Sequence, residues 1–168
     1  MFSLNAPVPG EVKRLAGDLR THLLPFDSVR ESHTLVVKRL DDDAEGGRDR
    51  IEGQVRRALA GAPSFEARVT GIDAFEEPTA GPGPVVYLTV QSPGLRRVHE
   101  RLVDCFGAVE GLEGPDYTPH VTLARGGSPE TAERLTSESI DPVTWTVSEL
   151  RFFDARYRER LGRVALPA

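Results

Sequence analysis

The chain has 168 residues, 39% hydrophobic and 28% charged, with a formal net charge of −5 at pH 7. These values fit a globular domain with its own core and run against a general nucleic-acid binder, which is normally basic. No run of about 18 apolar residues suggests a transmembrane helix, and the single Cys105 excludes an internal disulfide or a thiolate zinc cluster. One domain over residues 1–168 is expected. The opening "MFSLNAPVPGEVKRL" lacks the basic-then-apolar order of a secretion signal, so a cytoplasmic protein is expected.

In chain order, "FSLNA" reads as a short strand. Pro9 and Glu11 then open a helix with apolar positions Val12, Leu15, Leu19 and Leu23 at spacings of three and four. "SHTLVVKRL" is a second strand. The acidic "DDDAEGG" (Asp41 to Gly47) reads as a solvated loop, and a helix is expected from Asp49 to Leu59, ended by Gly61 and Pro63. "FEARVTGIDAFEE" is a long strand, "EPTAGPGP" a turn and "VVYLTVQS" another strand. A helix from Pro93 to Phe106 buries Leu95, Val98, Leu102 and Phe106, which leaves His99 beside the stripe as an exposed residue. "PHVTLAR" is a strand, Pro129 to Leu135 a short helix, "WTVSELRFFDA" one long strand and "RVALP" the last. Such alternation implies an α+β or α/β architecture.

The chemistry concentrates in "YTPHVTLAR". Side chains alternate along a strand, so His120 and Thr122 share one face while Val121 and Leu123 share the other. In a regular strand Arg125 falls on the face opposite His120. A weak internal repeat supplies a partner. Each half of the chain runs strand, proline-opened helix, loop, strand, and each delivers a histidine near the start of that second strand. Pro9 to His33 spans 24 positions and Pro93 to His120 spans 27. Two such units related by a pseudo-twofold axis would bring His33 and His120 to one cleft. The basic residues are nearly all arginine, apart from Lys13 and Lys38, and arginine's planar fork suits phosphate.

Through these two histidine motifs the sequence resembles the two-histidine phosphoesterase superfamily, in its 2′-5′ RNA ligase (LigT-like) branch. The resemblance covers essentially all of the chain. It implies a bilobal α+β fold: two pseudo-symmetric lobes of antiparallel sheet, helices outside, a central cleft between. It also implies an RNA 2′,3′-cyclic phosphodiesterase, with 2′-5′ ligation as the reverse chemistry. His33 and His120 are then the catalytic pair, His120 as base and His33 as acid in hydrolysis, and Thr122, Thr34 and Arg125 the phosphate-binding set. No cofactor or metal is implied. The expected partner is an RNA end or nucleotide bearing a 2′,3′-cyclic phosphate, handled by a monomer without a membrane.

The second motif matches as His-Val-Thr; the first departs, because Thr34 directly follows His33 and Leu35 stands where a hydroxyl is usual. An unbroken strand would set His33, Leu35 and Val37 on the cleft face and turn Thr34 away, leaving Thr122 as the principal hydroxyl. A bulge beside His33 would reverse that, but no glycine is there to favour one. Tyr117 reads as a packing aromatic, Lys38 as a surface residue, and His22 as a helix-end imidazole. Two other classes compete: a metal site built on the histidines, which lacks nearby carboxylates, and a non-catalytic nucleotide or RNA-end binding module on the same fold.

Overall fold

The computed structural model describes residues 2–41 and 46–167. The elements run β1 Phe2–Ala6, α1 Gly10–Asp18, α2 Arg20–Leu23, β2 Ser28–Val29, β3 Leu35–Leu40, α3 Gly47–Ala58, β4 Phe65–Phe75 and β5 Val85–Gln91. They continue with α4 Pro93–Phe106, a 3₁₀ turn Gly114–Asp116, β6 His120–Arg125, α5 Pro129–Thr136, β7 Val143–Val147, β8 Glu149–Asp154 and β9 Glu159–Ala165. Most of the acidic "DDDAEGG" expectation (positions 42–45) lies outside the described residues.

Two antiparallel sheets form the frame. One has the order β3-β1-β8-β9, the other β2-β6-β5-β4-β7. Helices lie outside them, so the fold is the two-sheet α+β arrangement that the resemblance implied. Helix α4 packs against β3 of one sheet and β4 of the other. Its start is written in the sequence: Ser92 accepts from Leu95 N–H at 3.1 Å, donates to Glu66 C=O at 2.6 Å, and is followed by Pro93. Leu4, Leu35, Val37, Leu88, Leu123 and Phe152 are completely buried on the helix-covered side.

Three expectations are corrected. "WTVSELRFFDA" is two strands, because Val143–Val147 pairs with β4 while Glu149–Asp154 pairs with β1 and β9 in the other sheet. His99 is fully buried rather than exposed, and Lys38 is 2% exposed rather than on the surface.

Both buried residues belong to one polar network. Lys38 Nζ donates to Glu113 Oε1 at 2.7 Å and to Arg39 C=O at 2.8 Å. Glu113 also accepts from the N–H groups of Arg39 and Val109, each at 2.9 Å. Burial alone would push the Glu113 carboxyl up; the Lys38 and backbone hydrogen bonds outweigh it and hold the group below its usual range. His99 Nε2 accepts from Gly114 N–H at 2.9 Å, so Nδ1 carries the proton and donates to Val37 C=O at 2.7 Å. Its ring stacks on Tyr117 with centroids 3.7 Å apart, and Tyr117 Oη donates to Val36 C=O at 2.8 Å. The network fastens β3 to the loop that leads into β6.

Glu113→Gln leaves the Lys38 ammonium buried without its counter-charge, which costs about 3–5 kcal/mol. Urea unfolding at pH 7 should show that loss. Adding Lys38→Met to Glu113→Gln should recover part of it, and a single variant as stable as the parent would contradict the assignment.

Candidate functional site

The two sheets face a shared hollow of about 520 Å³, lined by Ser32, Thr34, Arg39, His120, Thr122 and Arg125 among others. In β6, Val121 and Leu123 are completely buried while His120 and Thr122 are partly open on the opposite face. The register with β5 then slips: Thr122 pairs with Tyr87 and Ala124 with Val86, which leaves Leu123 as the extra residue of a bulge. Leu123 and Ala124 are consequently both buried, and Arg125 returns to the His120 face. The expectation that Arg125 lies on the opposite face fails for that reason.

A matching slip occurs in the first lobe. Leu4 pairs with Lys38 and Asn5 with Val36, so Val37 is the extra residue of β3. Val37 and Lys38 are both buried, and Arg39 turns to the hollow. The bulge therefore lies four residues beyond His33, and it forms without glycine. Ahead of it the core face is claimed by Leu35 and Val37, both fully buried. Thr34 and Val36 then face the hollow, and the expectation that Thr34 turns away is corrected.

The two histidines line adjoining hollows. His33 is not among the residues that line the hollow of His120. It lines an adjoining one of about 440 Å³ instead. The two hollows share a wall that includes Asn5, Arg30, Ser32, Thr34 and Phe153. Ser32 stands two residues before Thr34 as His120 stands two before Thr122. Counted back from the two threonines that line the hollow, Ser32-His33-Thr34 therefore answers to His120-Val121-Thr122.

His120 is held tightly. Nδ1 lies 2.6 Å from Thr118 C=O, which can only accept, so Nδ1–H is the donor and Nε2 keeps the free lone pair. The ring meets Phe75 edge-on at 5.2 Å and Tyr87 at 5.1 Å. Burial lowers its pKa below 6.5; the Thr118 hydrogen bond opposes this and the Arg39 charge reinforces it. His33 is also held below 6.5, by burial and then by the Lys13 charge. Arg125 Nη1 donates to Ala80 C=O at 2.8 Å. Gly81 lies against that guanidinium at φ +77°, and any Cβ there would collide with Nη1.

Sequence reasoning missed Arg39 and Ser32. Arg39 follows a bulge that no local signal marks, while Ser32 reads only as the first residue of the strand "SHTLVVKRL". Tyr117 is, as read, a packing aromatic, 6% exposed. His22 is exposed. Among the described residues no three His, Cys, Asp or Glu side chains cluster as a metal site requires.

Comparison with known proteins adds to this geometry. The model of the 2′-5′ RNA ligase superfamily matches residues 9–157. The chain belongs to that superfamily. An RNA 2′,3′-cyclic phosphodiesterase of Methanothermobacter thermautotrophicus is 29% identical to this 2′-5′ RNA ligase superfamily protein over 126 residues, 71% of this chain and 67% of the relative. A Thermus thermophilus protein superposes with a TM-score of 0.70 at 21% identity, over 98% of this chain and 97% of its own. E. coli LigT complexed with 3′-AMP gives 0.63 at 20% identity, over 99% and 98%. No helix among the described residues is long and apolar enough to cross a membrane.

If Arg39 contributes to the low pKa of His120, removing its charge should raise that pKa. Nuclear magnetic resonance titration of the His120 imidazole should give a value below 6.5 that moves upward in Arg39→Gln. A value that does not move would mean burial alone sets it.

Proposed function

We propose that the protein opens 2′,3′-cyclic phosphate ends of RNA or nucleotides without a metal ion, with His120 as the central acid–base residue. One observation carries this reading: a histidine whose Nδ1–H is fixed by Thr118 C=O, with Nε2 free, stands beside Thr122, Thr34, Arg125 and Arg39 in one hollow. Membership of the superfamily and the named activity of the Methanothermobacter relative support the same class of enzyme.

Opening a cyclic phosphodiester needs a group to take the proton of the attacking water and another to protonate the departing ribose oxygen. Neutral at pH 7, His120 is suited to the first role. As water attacks phosphorus, Nε2 takes its proton, the 3′-oxygen leaves protonated and a 2′-phosphate remains. A 5′-hydroxyl in place of water turns the same step into 2′-5′ joining. The hydroxyls of Thr34 and Thr122 and the guanidinium groups of Arg39 and Arg125 hold the non-bridging oxygens as charge grows on them. In this proposal His33 supplies the leaving-group proton through one water at the edge, formed by Ser32 and Thr34, where the two hollows meet. The incoming cyclic phosphate monoanion offsets the Lys13 charge and so raises the His33 pKa in the complex.

A second reading is favoured by one feature. Ser32, not a histidine, occupies the place in the first lobe that His120 occupies in the second. A site with one imidazole in the hollow suits a module that binds a nucleotide or RNA end without turning it over. The test is a panel of 2′,3′-cyclic phosphates incubated in excess chelator and scored for 2′- or 3′-phosphate. Turnover in chelator supports the enzyme; tight binding without product supports the module; turnover abolished by chelator overturns metal independence.

His120→Ala should lower kcat/KM by ~10²–10⁴-fold. Both histidines lie below 6.5 in the free protein, so both limbs of the kcat/KM pH profile should fall on the acid side of 6.5. A bell centred above neutrality would exclude this pair as its source.

With Thr34 and Thr122 on the same hollow, Thr34→Val and Thr122→Val should each lose roughly 1–3 kcal/mol of transition-state binding. Steady-state kinetics on folded variants decide this. Full activity in Thr34→Val would return its hydroxyl to a structural role.

A further inference from the structure

The hollow that contains His33 has a composition of its own. Lys13 from α1, Arg20 from α2, Arg30 after β2, Arg151 from β8 and Arg160 from β9 all line it, against the single carboxylate Glu31. In a chain of net charge −5, this is a local reversal of sign. Arg151 is partly neutralised by Glu149 at 2.8 Å. Lys13, Arg20, Arg30 and Arg160 form no ion pair with any carboxylate among the described residues. Four unpaired cations around a cavity of about 440 Å³ carry a cost in mutual repulsion that an anion would relieve. The cavity is also not polar throughout. Pro7, Val8, Ala16, Leu23 and Phe153 supply an apolar surface, and Phe153 and Arg30 are common to both hollows.

We propose that this hollow is a second anion subsite, which takes the internucleotide phosphate next to the reacting end, so that the preferred substrate is an oligonucleotide rather than a mononucleotide. The inference rests on the proposed function, because it takes the reacting phosphate to sit beside Thr34 and Thr122. A strand leaving that position along the shared wall at Asn5, Ser32 and Thr34 enters the basic hollow directly. A backbone phosphate there meets Arg20, Arg30 and Arg160, and the neighbouring base or ribose lies on the apolar surface with Phe153. Contacts of this kind go to phosphate and sugar and carry no sequence information, so the subsite adds affinity for strand length and not for base identity.

The test uses Arg20→Gln/Arg160→Gln, two exposed residues outside the reacting site, with two probes. One is a fluorescent-labelled trinucleotide ending in a 2′-phosphate, the other a nucleoside 2′-monophosphate. The double variant should bind the trinucleotide about tenfold or more weakly, with a shallower dependence on salt, while binding of the monophosphate is unchanged. The turnover counterpart is a fall in kcat/KM for a trinucleotide 2′,3′-cyclic phosphate with that for the cyclic mononucleotide preserved. An unaltered trinucleotide affinity overturns the subsite. Equal weakening of both probes also overturns it, since the hollow would then hold the terminal phosphate itself. Arginine-dependent trinucleotide binding without any turnover leaves the subsite standing and removes only the catalytic reading.

Discussion

The site depends on a carboxylate in a place where carboxylates are costly. Glu113, with its side chain 1% exposed, survives in the interior because Lys38 and two backbone N–H groups satisfy it together. Each of those partners has a structural consequence. Lys38 and Arg39 N–H fix β3 just past its slip, and Val109 N–H fixes the loop after α4. His99 and Tyr117 extend the clamp by holding the carbonyls of Val37 and Val36. The start of β6, and with it His120, is therefore positioned against β3 from the other sheet by groups that never reach the cleft.

Both lobes aim an arginine by the same device. One extra residue in β3 and one in β6 bury two consecutive side chains and turn the next one toward the hollow. Without them Arg39 and Arg125 would follow strict alternation: Arg125 would leave the face of His120 and Thr122, and Arg39 that of Thr34 and Val36. A strand of period two can present hydroxyls and imidazole, and a single extra residue then adds a guanidinium to the same face. Rigid donors on strand backbones are what a reaction that accumulates charge on phosphate oxygens requires.

The element order was legible because caps, prolines and apolar spacing are local signals, and the two-lobed architecture because the histidine motifs carry a family resemblance. Ser92-Pro93 opening α4 and the alternation of His120-Val121-Thr122-Leu123 show this directly. The first motif was legible in composition but not in orientation. In "HTLVVK" the residues on both parities from Leu35 to Val37 are apolar, so nothing in the sequence says which set faces the core. The slip at Val37 requires no glycine and leaves no mark. His99 and Lys38 were misread for a related reason: their partners Val37 and Glu113 lie 62 and 75 positions away. "WTVSELRFF" hid its break because the strand signal is continuous across Ser148, and the break is set by which sheet offers a free edge.

That break has a mechanical meaning. Ser148 is the one residue between β7, the outermost strand of the five-stranded sheet, and β8, an inner strand of the four-stranded sheet. Its carbonyl accepts from Leu166 N–H at 2.8 Å, and Pro167 C=O accepts from Ser64 N–H at 2.7 Å just before β4. The closing strand is thus stitched to both sheets at one end of the molecule. Two sheets joined there through a single residue and a double stitch are pinned at that end, and any change in their separation at this point has to break the Ser148–Leu166 and Ser64–Pro167 hydrogen bonds.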